Sequence, residues 1–595
     1  MKWRKTILIH LLSIGCPLIS LWALNEYLLW PREWSHSVLL IAVLFALAWL
    51  GRLFWTQKDG RLKRYALVFG FMFVLAQVCG ARLDAAGTIA EAGATVRSLG
   101  LMLLSSLGLT PAAGGLFVWL TDWLTKFENR SAQKQRLTDK QLFYLAFALI
   151  LLCWLPALLA YWPGIYSYDV ERQIDQTVSG VFNDHNPIFH TLIIGGFHAL
   201  GGLMGSYNLG ISLYCIFQMI VTALTMALIL RYLHHSRCPR WFVLAVLAVF
   251  CFAPFHQLLA ISTTKDVLFT DALAAWAVLM IWGIREEEVT RKRSWKAGWI
   301  LLAALGALMR TNGVLAIGAV LIGGWVLLRK NRVLCRRILC LTLCAFVLYG
   351  AVHEGLVSLL DAQSGPFHEV LSVPIQQIAR VNHLLKYESR EEIRSWLPDV
   401  ALYQPALTDY VKHTADIQPN DLPEFLGLWL RLGMKFPVIY LDAFGFLTKG
   451  YWYLDDLSHA TFRGELLEYH EGYLGTVFRT SHGVSQNSLW PALYDWYEQM
   501  YSVNEYLQVP VLSALNGTAL WCWLLTALWF AAMYLHRKDV ILPLVMCWAM
   551  YVFLFLGPCC IVRYVYPFML IVPLCLGALL SPLRCTENGD MIADK

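Results

Sequence analysis

The sequence predicts an all-α polytopic membrane protein, and three observations carry that prediction. The 595 residues are 58% hydrophobic and 15% charged, with a mean hydropathy of +0.53. Apolar runs of about 18 residues or more, long enough to cross a bilayer as helix, recur along most of the chain. Basic residues gather in alternate segments between these runs, as expected when Lys and Arg stay cytoplasmic. With 47 basic and 41 acidic side chains, a soluble 67.6 kDa globule would lack the charge to solvate its surface. The net charge of +6 is scattered, without the basic stripe that a nucleic-acid partner needs. The 15 cysteines lie mostly in apolar runs and their flanks, so they read as small core hydrophobes and not as a disulfide framework.

Apolar runs at 7–29, 37–55, 66–81, 99–121 and 141–161 each read as a span, the first as a transmembrane helix and not a removable signal peptide. Lys58 to Arg64 and Lys126 to Lys140 flank these runs on the side that positive-inside assigns to the cytoplasm. The N-terminus is then cytoplasmic and the acidic loop 162–186 external. Residues 187–204 are read as a re-entrant or juxtamembrane helix. If both they and 209–230 crossed, Arg231 to Arg240 would lie outside, against the positive-inside bias. Spans follow at 209–230, 241–262 and 267–284. The stretch 297–328 reads as a hairpin of two short helices with Arg310-Thr311-Asn312-Gly313 at its external tip. After 338–357 comes a large polar insert, 358–510, and then spans at 511–535, 539–556 and 563–581. The sum is about 14 crossings. Both termini are cytoplasmic in this plasma-membrane threading. The expected organisation is a four-helix module at 1–125, a core at 141–357, the external insert at 358–510, C-terminal helices at 511–581 and a cytoplasmic tail at 582–595. Within the insert, 422–447 predicts an interfacial helix kinked at Pro437. The Tyr- and Trp-rich stretch from Tyr451 to Tyr506 suits aromatic belts or stacking on sugar rings.

Three constellations carry candidate chemistry. The first runs from Pro163-Gly164-Ile165-Tyr166-Ser167-Tyr168-Asp169 through Glu171 to Asn183-Asp184-His185-Asn186-Pro187, with His190 beyond. A carboxylate at a wet cleft in the membrane can deprotonate a hydroxyl or hold a cation against a phosphate leaving group. The second is Lys265-Asp266, where a helix N-terminus and a lysine both suit phosphate, with Asp271 deeper in the span as an intramembrane acid. The third pairs Arg310 with Arg563 of Arg563-Tyr564-Val565-Tyr566-Pro567, guanidinium groups suited to bidentate phosphate contact. The bland alternatives are a solvated loop, a snorkelling lysine and interfacial anchors.

The order of these motifs resembles the GT-C class of polytopic glycosyltransferases. P-G-I-x-S-Y-D, H-N-P-x-x-H-T, T-K-D and R-x-N-G look more closely like a family of uncharacterised, mainly Gram-positive, bacterial integral membrane proteins related to that class. The likeness covers residues 141–581. It implies a GT-C-like core. Sugar would pass from a polyprenyl-phosphate donor to a glycan, lipid or protein acceptor of the cell envelope at the external face. By this resemblance Asp169 and Asp266 are catalytic, Asp169 taking the acceptor proton. Lys265, Arg310, Arg563, His185 and His190 bind substrate or phosphate, and Glu171, Asp184 and Asp271 are secondary candidates. A divalent cation, magnesium or manganese, on Asp169 and Asp266 is an open option, because K-D stands where many relatives carry paired acids. The rival expectations are a lipid or polysaccharide transporter, or a polymerase or ligase that moves whole chains.

Overall fold

Local sequence sets the helix ends, and every regular element among the described residues is helical. The β contacts are isolated bridges such as Ile165 with Ser262. The computed structural model describes residues 2–28, 38–91, 93–128, 137–386, 390–455, 481–502, 515 and 517–582. Residues 583–595 of the predicted tail and the aromatic residues Tyr469, Tyr473 and Tyr506 lie outside the described residues.

The chain opens with α1 (Lys2–Leu28), α2 (Val38–Thr56), α3 (Gly60–Ala86) and α4 (Thr95–Glu128). Asp59 caps α3 by accepting from the Arg61 and Leu62 N–H groups, which shows why the helix starts earlier than its apolar run. Close packing of α3 on α4 depends on Gly70, where an added Cβ would sit 2.7 Å from the Thr110 carbonyl oxygen. Next come α5 (Asp139–Ala160), begun by a Thr138/Gln141 capping box, α6 (Tyr168–Ser179), α7 (Ile188–Leu203) and α8 (Tyr207–His235). The predicted external loop thus contains a helix, α6, and the acid motif stands at its start.

The predicted single span at 241–262 is two helices, α9 (Arg240–Phe252) and α10 (Pro254–Ala260), bent by 53° at the proline. Then follow α11 (Lys265–Arg285), α12 (Arg293–Met309), α13 (Gly313–Leu328) and α14 (Arg332–Leu359). The insert contributes α15 (Ser372–Leu385), α16 (Arg390–Trp396), α17 (Asp409–Lys412), α18 (Leu422–Lys435), α19 (Pro437–Thr448) and α20 (Pro491–Tyr497). The bundle closes with α21 (Thr518–Tyr534), α22 (Lys538–Leu554) and α23 (Val562–Leu580).

Nine helices among the described residues are long and apolar enough to cross a membrane, or ten with the bent pair. The expected 14 is therefore met only in part. The helices α12, α13, α21 and α22 have 16 or 17 residues. At 1.5 Å per residue they reach roughly 24 to 26 Å, short of a hydrocarbon core of about 30 Å. The predicted interfacial helix is two helices broken before Pro437. Phe425, Leu428 and Leu432 of α18 are buried in a core that the insert builds with Ile375 and Ile378 of α15. The apolar face that suggests a membrane surface is thus used inside the insert.

Two polar networks stand at opposite ends of the bundle. One gathers segments predicted to be cytoplasmic. His234 and His235 meet Asp139 at 2.7 and 2.9 Å, His235 meets Glu286 at 3.0 Å, and Asp539 meets Arg285 at 2.6 Å and Arg537 at 3.0 Å. The other surrounds the start of α11, about 30 Å away along that helix. The 16-residue α7 lies along the start of α8, with His190 on Tyr214, Phe197 near Phe217 and Gly201 against Gly210. Nothing in this pairing carries α7 towards the His234 end. Arg237 is exposed at that end and Val181 is exposed at the other. A membrane-impermeant maleimide applied to intact cells should therefore label Val181→Cys and spare Arg237→Cys until the cells are lysed. Equal labelling of both without lysis would refute the threading.

Candidate functional site

The site is built on two helix starts placed side by side. After the Pro163-Gly164 turn, Ile165 donates its N–H to the Ile261 carbonyl at 2.9 Å, and Thr263 donates to the Ile165 carbonyl at 3.0 Å. Gly164 has φ +126°, and a Cβ there would lie 2.3 Å from the Cys215 sulfur, so only glycine permits this approach. The short parallel bridge sets α6 and α11 off from neighbouring positions. Their first residues match in register: Ser167-Tyr168-Asp169 and Thr264-Lys265-Asp266 each place a hydroxyl residue at the N-cap and an acid two residues on. In neither helix does the N-cap hydroxyl cap the backbone. Ser167 Oγ and Thr264 Oγ1 are fully buried without a hydrogen-bond partner among the described residues. Such hydroxyls ordinarily satisfy a first-turn N–H. With these hydroxyls unused, the first-turn N–H groups of both helices have no side-chain cap, the condition under which a helix start favours an anion.

Cations complete the arrangement. Arg563 Nη1 meets Asp169 Oδ2 at 3.0 Å while its Nε lies 3.6 Å from Asp266 Oδ2. Lys265 Nζ is 3.8 Å from Asp169 Oδ2 and donates to Asn186 Oδ1 at 2.5 Å. Arg310 pairs with Asp266 and stacks over the Tyr564 ring at 4.5 Å from its centroid. Three cations against two carboxylates leave one excess positive charge in a buried setting. Burying charges costs several kcal/mol each, so the cluster is poorly explained as a device for stability. Burial by itself would raise the Asp169 carboxyl, but Lys265, Arg563 and Arg172 outweigh it and hold the group well below the usual carboxylate range. A carboxylate so stabilised is a weak proton acceptor.

The remaining predicted residues fall in different places. His185 stands exposed at the rim, in reach of the charges of Lys265 and Asp169. His190 is fully buried, and its two ring nitrogens meet Gln173 at 3.0 Å and Tyr214 at 2.8 Å. It joins α6, α7 and α8, which corrects its expected place among the phosphate contacts. Asp184 accepts from the Gly365 N–H at 2.5 Å and so fastens the turn after α6 to the start of the insert. Glu171 is half-buried on α6. Asp271 lies one turn below Asp266, where Thr222 donates to it at 2.7 Å. On another side of α6, His482 meets Asp175 at 2.7 Å and Tyr166 at 3.2 Å, tying the distal part of the insert to the helix that bears Asp169. Ser167, Thr264 and Tyr564 were not legible individually as site residues. The repeated hydroxyl-x-Asp spacing at Ser167 and Thr264 was the available signal, although only the second stood at a predicted helix start.

Asp169 and Asp266 do not present a shared cation site. The Arg563 guanidinium lies between their carboxylates, and no group of three or more His, Cys, Asp or Glu side chains among the described residues is placed to hold a metal ion. Divalent magnesium requires convergent oxygen ligands at about 2.1 Å. The donor set as arranged does not fit that ion.

Residues 176–584 match the model of a family described only as a family of unknown function, DUF6020. No curated protein and no solved structure matches the chain.

Proposed function

The chain belongs to the DUF6020 family, and from the site it carries we propose that it is a membrane glycosyltransferase using a lipid-phosphate-linked sugar. One observation supports this reading above the others. Lys265, Arg310 and Arg563 converge with two uncapped helix starts on a buried cluster that keeps one positive charge in excess. That arrangement suits a phosphate on which negative charge grows as its ester bond breaks. In the reaction an acceptor hydroxyl oxygen attacks the anomeric carbon. The bond from that carbon to the phosphate oxygen breaks with its electron pair going to the phosphate, and the sugar centre inverts. A polyprenyl tail fits a site at the edge of the apolar bundle, and the insert stands over it through Asp184 with Gly365 and Thr408 with the Pro558 carbonyl. A cell-envelope acceptor on the external face agrees with the positive-inside threading.

Mass spectrometry of envelope glycans with and without the gene should show one sugar substituent lost on deletion and restored by the wild-type chain. Purified protein in proteoliposomes should release polyprenyl phosphate from a polyprenyl-phosphate hexose. A transporter would move the intact lipid between leaflets and leave the ester whole. The buried Asp271, with one oxygen unpartnered among the described residues, is the feature that favours that second reading. Transbilayer movement without bond cleavage would decide for it.

A further inference from the structure

With Asp169 held by two cations, the acceptor proton needs another destination, and the rim of the cluster offers one. Resting on the transferase reading above, we infer that His185 takes the acceptor proton while Asp169 positions Lys265 and Arg563. His185 sits in the turn between α6 and α7, exposed to solvent, with its main-chain N–H donating to Asn183 Oδ1 at 3.2 Å. The insert closes on its other side. A Cβ on Gly365 would come 3.2 Å from the His185 Cα, so the glycine lets the insert approach this closely. The next residue, Asn186, accepts from Lys265, which sets His185 beside the cation that would face the departing phosphate.

The charges that act on the ring are those of Glu369 from the insert, Lys265 from α11, and Asp169 and Arg172 from α6; Asp184 precedes it in the turn, and His353 of α14 lines a cavity with Asp184. No hydrogen bond to either His185 ring nitrogen is formed among the described residues, in contrast to His190. Partial burial of the ring, aided by Lys265 and Arg172 and opposed by Glu369 and Asp169, holds the imidazole below the ordinary histidine value. The lowered value favours the neutral ring, the form that can accept a proton, and the residue is exposed at the rim. The balance closes. The acceptor oxygen bonds to the anomeric carbon, its proton passes to a His185 ring nitrogen, and the phosphate leaves with the electron pair toward Lys265, Arg310 and Arg563. Solvent at the rim then removes the proton.

The test follows release of polyprenyl phosphate from a radiolabelled polyprenyl-phosphate hexose in proteoliposomes, with excess glycerol as the hydroxyl acceptor, between pH 4.5 and 8. The wild-type rate should fall on acidification with one apparent pKa below about 6.5. His185→Gln should lower the rate at pH 7 by roughly 10² and flatten the acid limb. Added imidazole should restore part of the rate to His185→Ala, which a merely structural role would not allow. Asp169→Asn should be slow yet keep the limb. An active wild type beside a His185→Gln variant of equal rate and unchanged pH profile would overturn the assignment and leave the transferase reading standing. Failure of the wild type to cleave any polyprenyl-phosphate hexose would overturn both.

Discussion

Asp169→Asn should turn over about 10²-fold more slowly than wild type per folded molecule, the scale on which a preorganised electrostatic group acts. The carboxylate holds Arg563 at 3.0 Å and Lys265 at 3.8 Å, and these two cations approach each other only because it lies between them. A neutral amide keeps the shape and removes the charge. Lys265 and Arg563 would then repel across a buried gap, and the phosphate would meet cations in altered positions. Glu171→Gln, two residues along the same helix and half-buried, should be milder. Turnover of a polyprenyl-phosphate hexose in proteoliposomes, normalised to folded protein, gives the comparison. Wild-type turnover by well-folded Asp169→Asn would reduce the cluster to a structural ion network and remove the main support for an enzyme.

Arg563→Ala should have the largest effect on stability, about 3 to 5 kcal/mol, because it removes one partner from a buried charge network. Arg563 is 2% exposed and serves both acids, through Nη1 to Asp169 and Nε toward Asp266. Without it the two carboxylates face each other with Lys265 and Arg310 alone to offset them. Arg563→Lys should fall between, since an ammonium is a point charge and cannot span two carboxylates as the planar guanidinium does. Asp169→Asn in the Arg563→Ala background should recover part of the loss, because Asp169 would otherwise keep only Lys265, at 3.8 Å, whereas Asp266 still has Arg310. Denaturant unfolding at fixed detergent and lipid measures all three. An Arg563→Ala protein as stable as wild type would show that the acids are satisfied by other means.

Much of this molecule was legible from local pattern. Apolar runs report whether a segment meets lipid or water, and Lys58, Arg231 and Arg285 follow such runs in the alternation that positive-inside requires. Charges bordering apolar helices are conspicuous for the same reason, so Asp169, Lys265, Asp266, Arg310 and Arg563 stood out individually. Helix ends were less legible. Asp59 starts α3 ahead of its apolar run, and Pro254 breaks a run of suitable length into a bent pair. Caps and prolines act through backbone geometry and leave hydropathy unchanged.

By itself the sequence determined the membrane class, the helical character and the short roster of charged candidates, since each depends on a residue and its near neighbours. Tertiary structure alone decided that Asp169 meets Arg563 across 394 positions, that Asn186 receives Lys265, and that the Ser167 and Thr264 hydroxyls stay unused. It also withdrew His190 into a bond with Tyr214 and left His185 at the rim. Which charges pair depends on which helices pack and at what depth. That choice is made by the sum of many weak contacts over the bundle, and no window of sequence contains it.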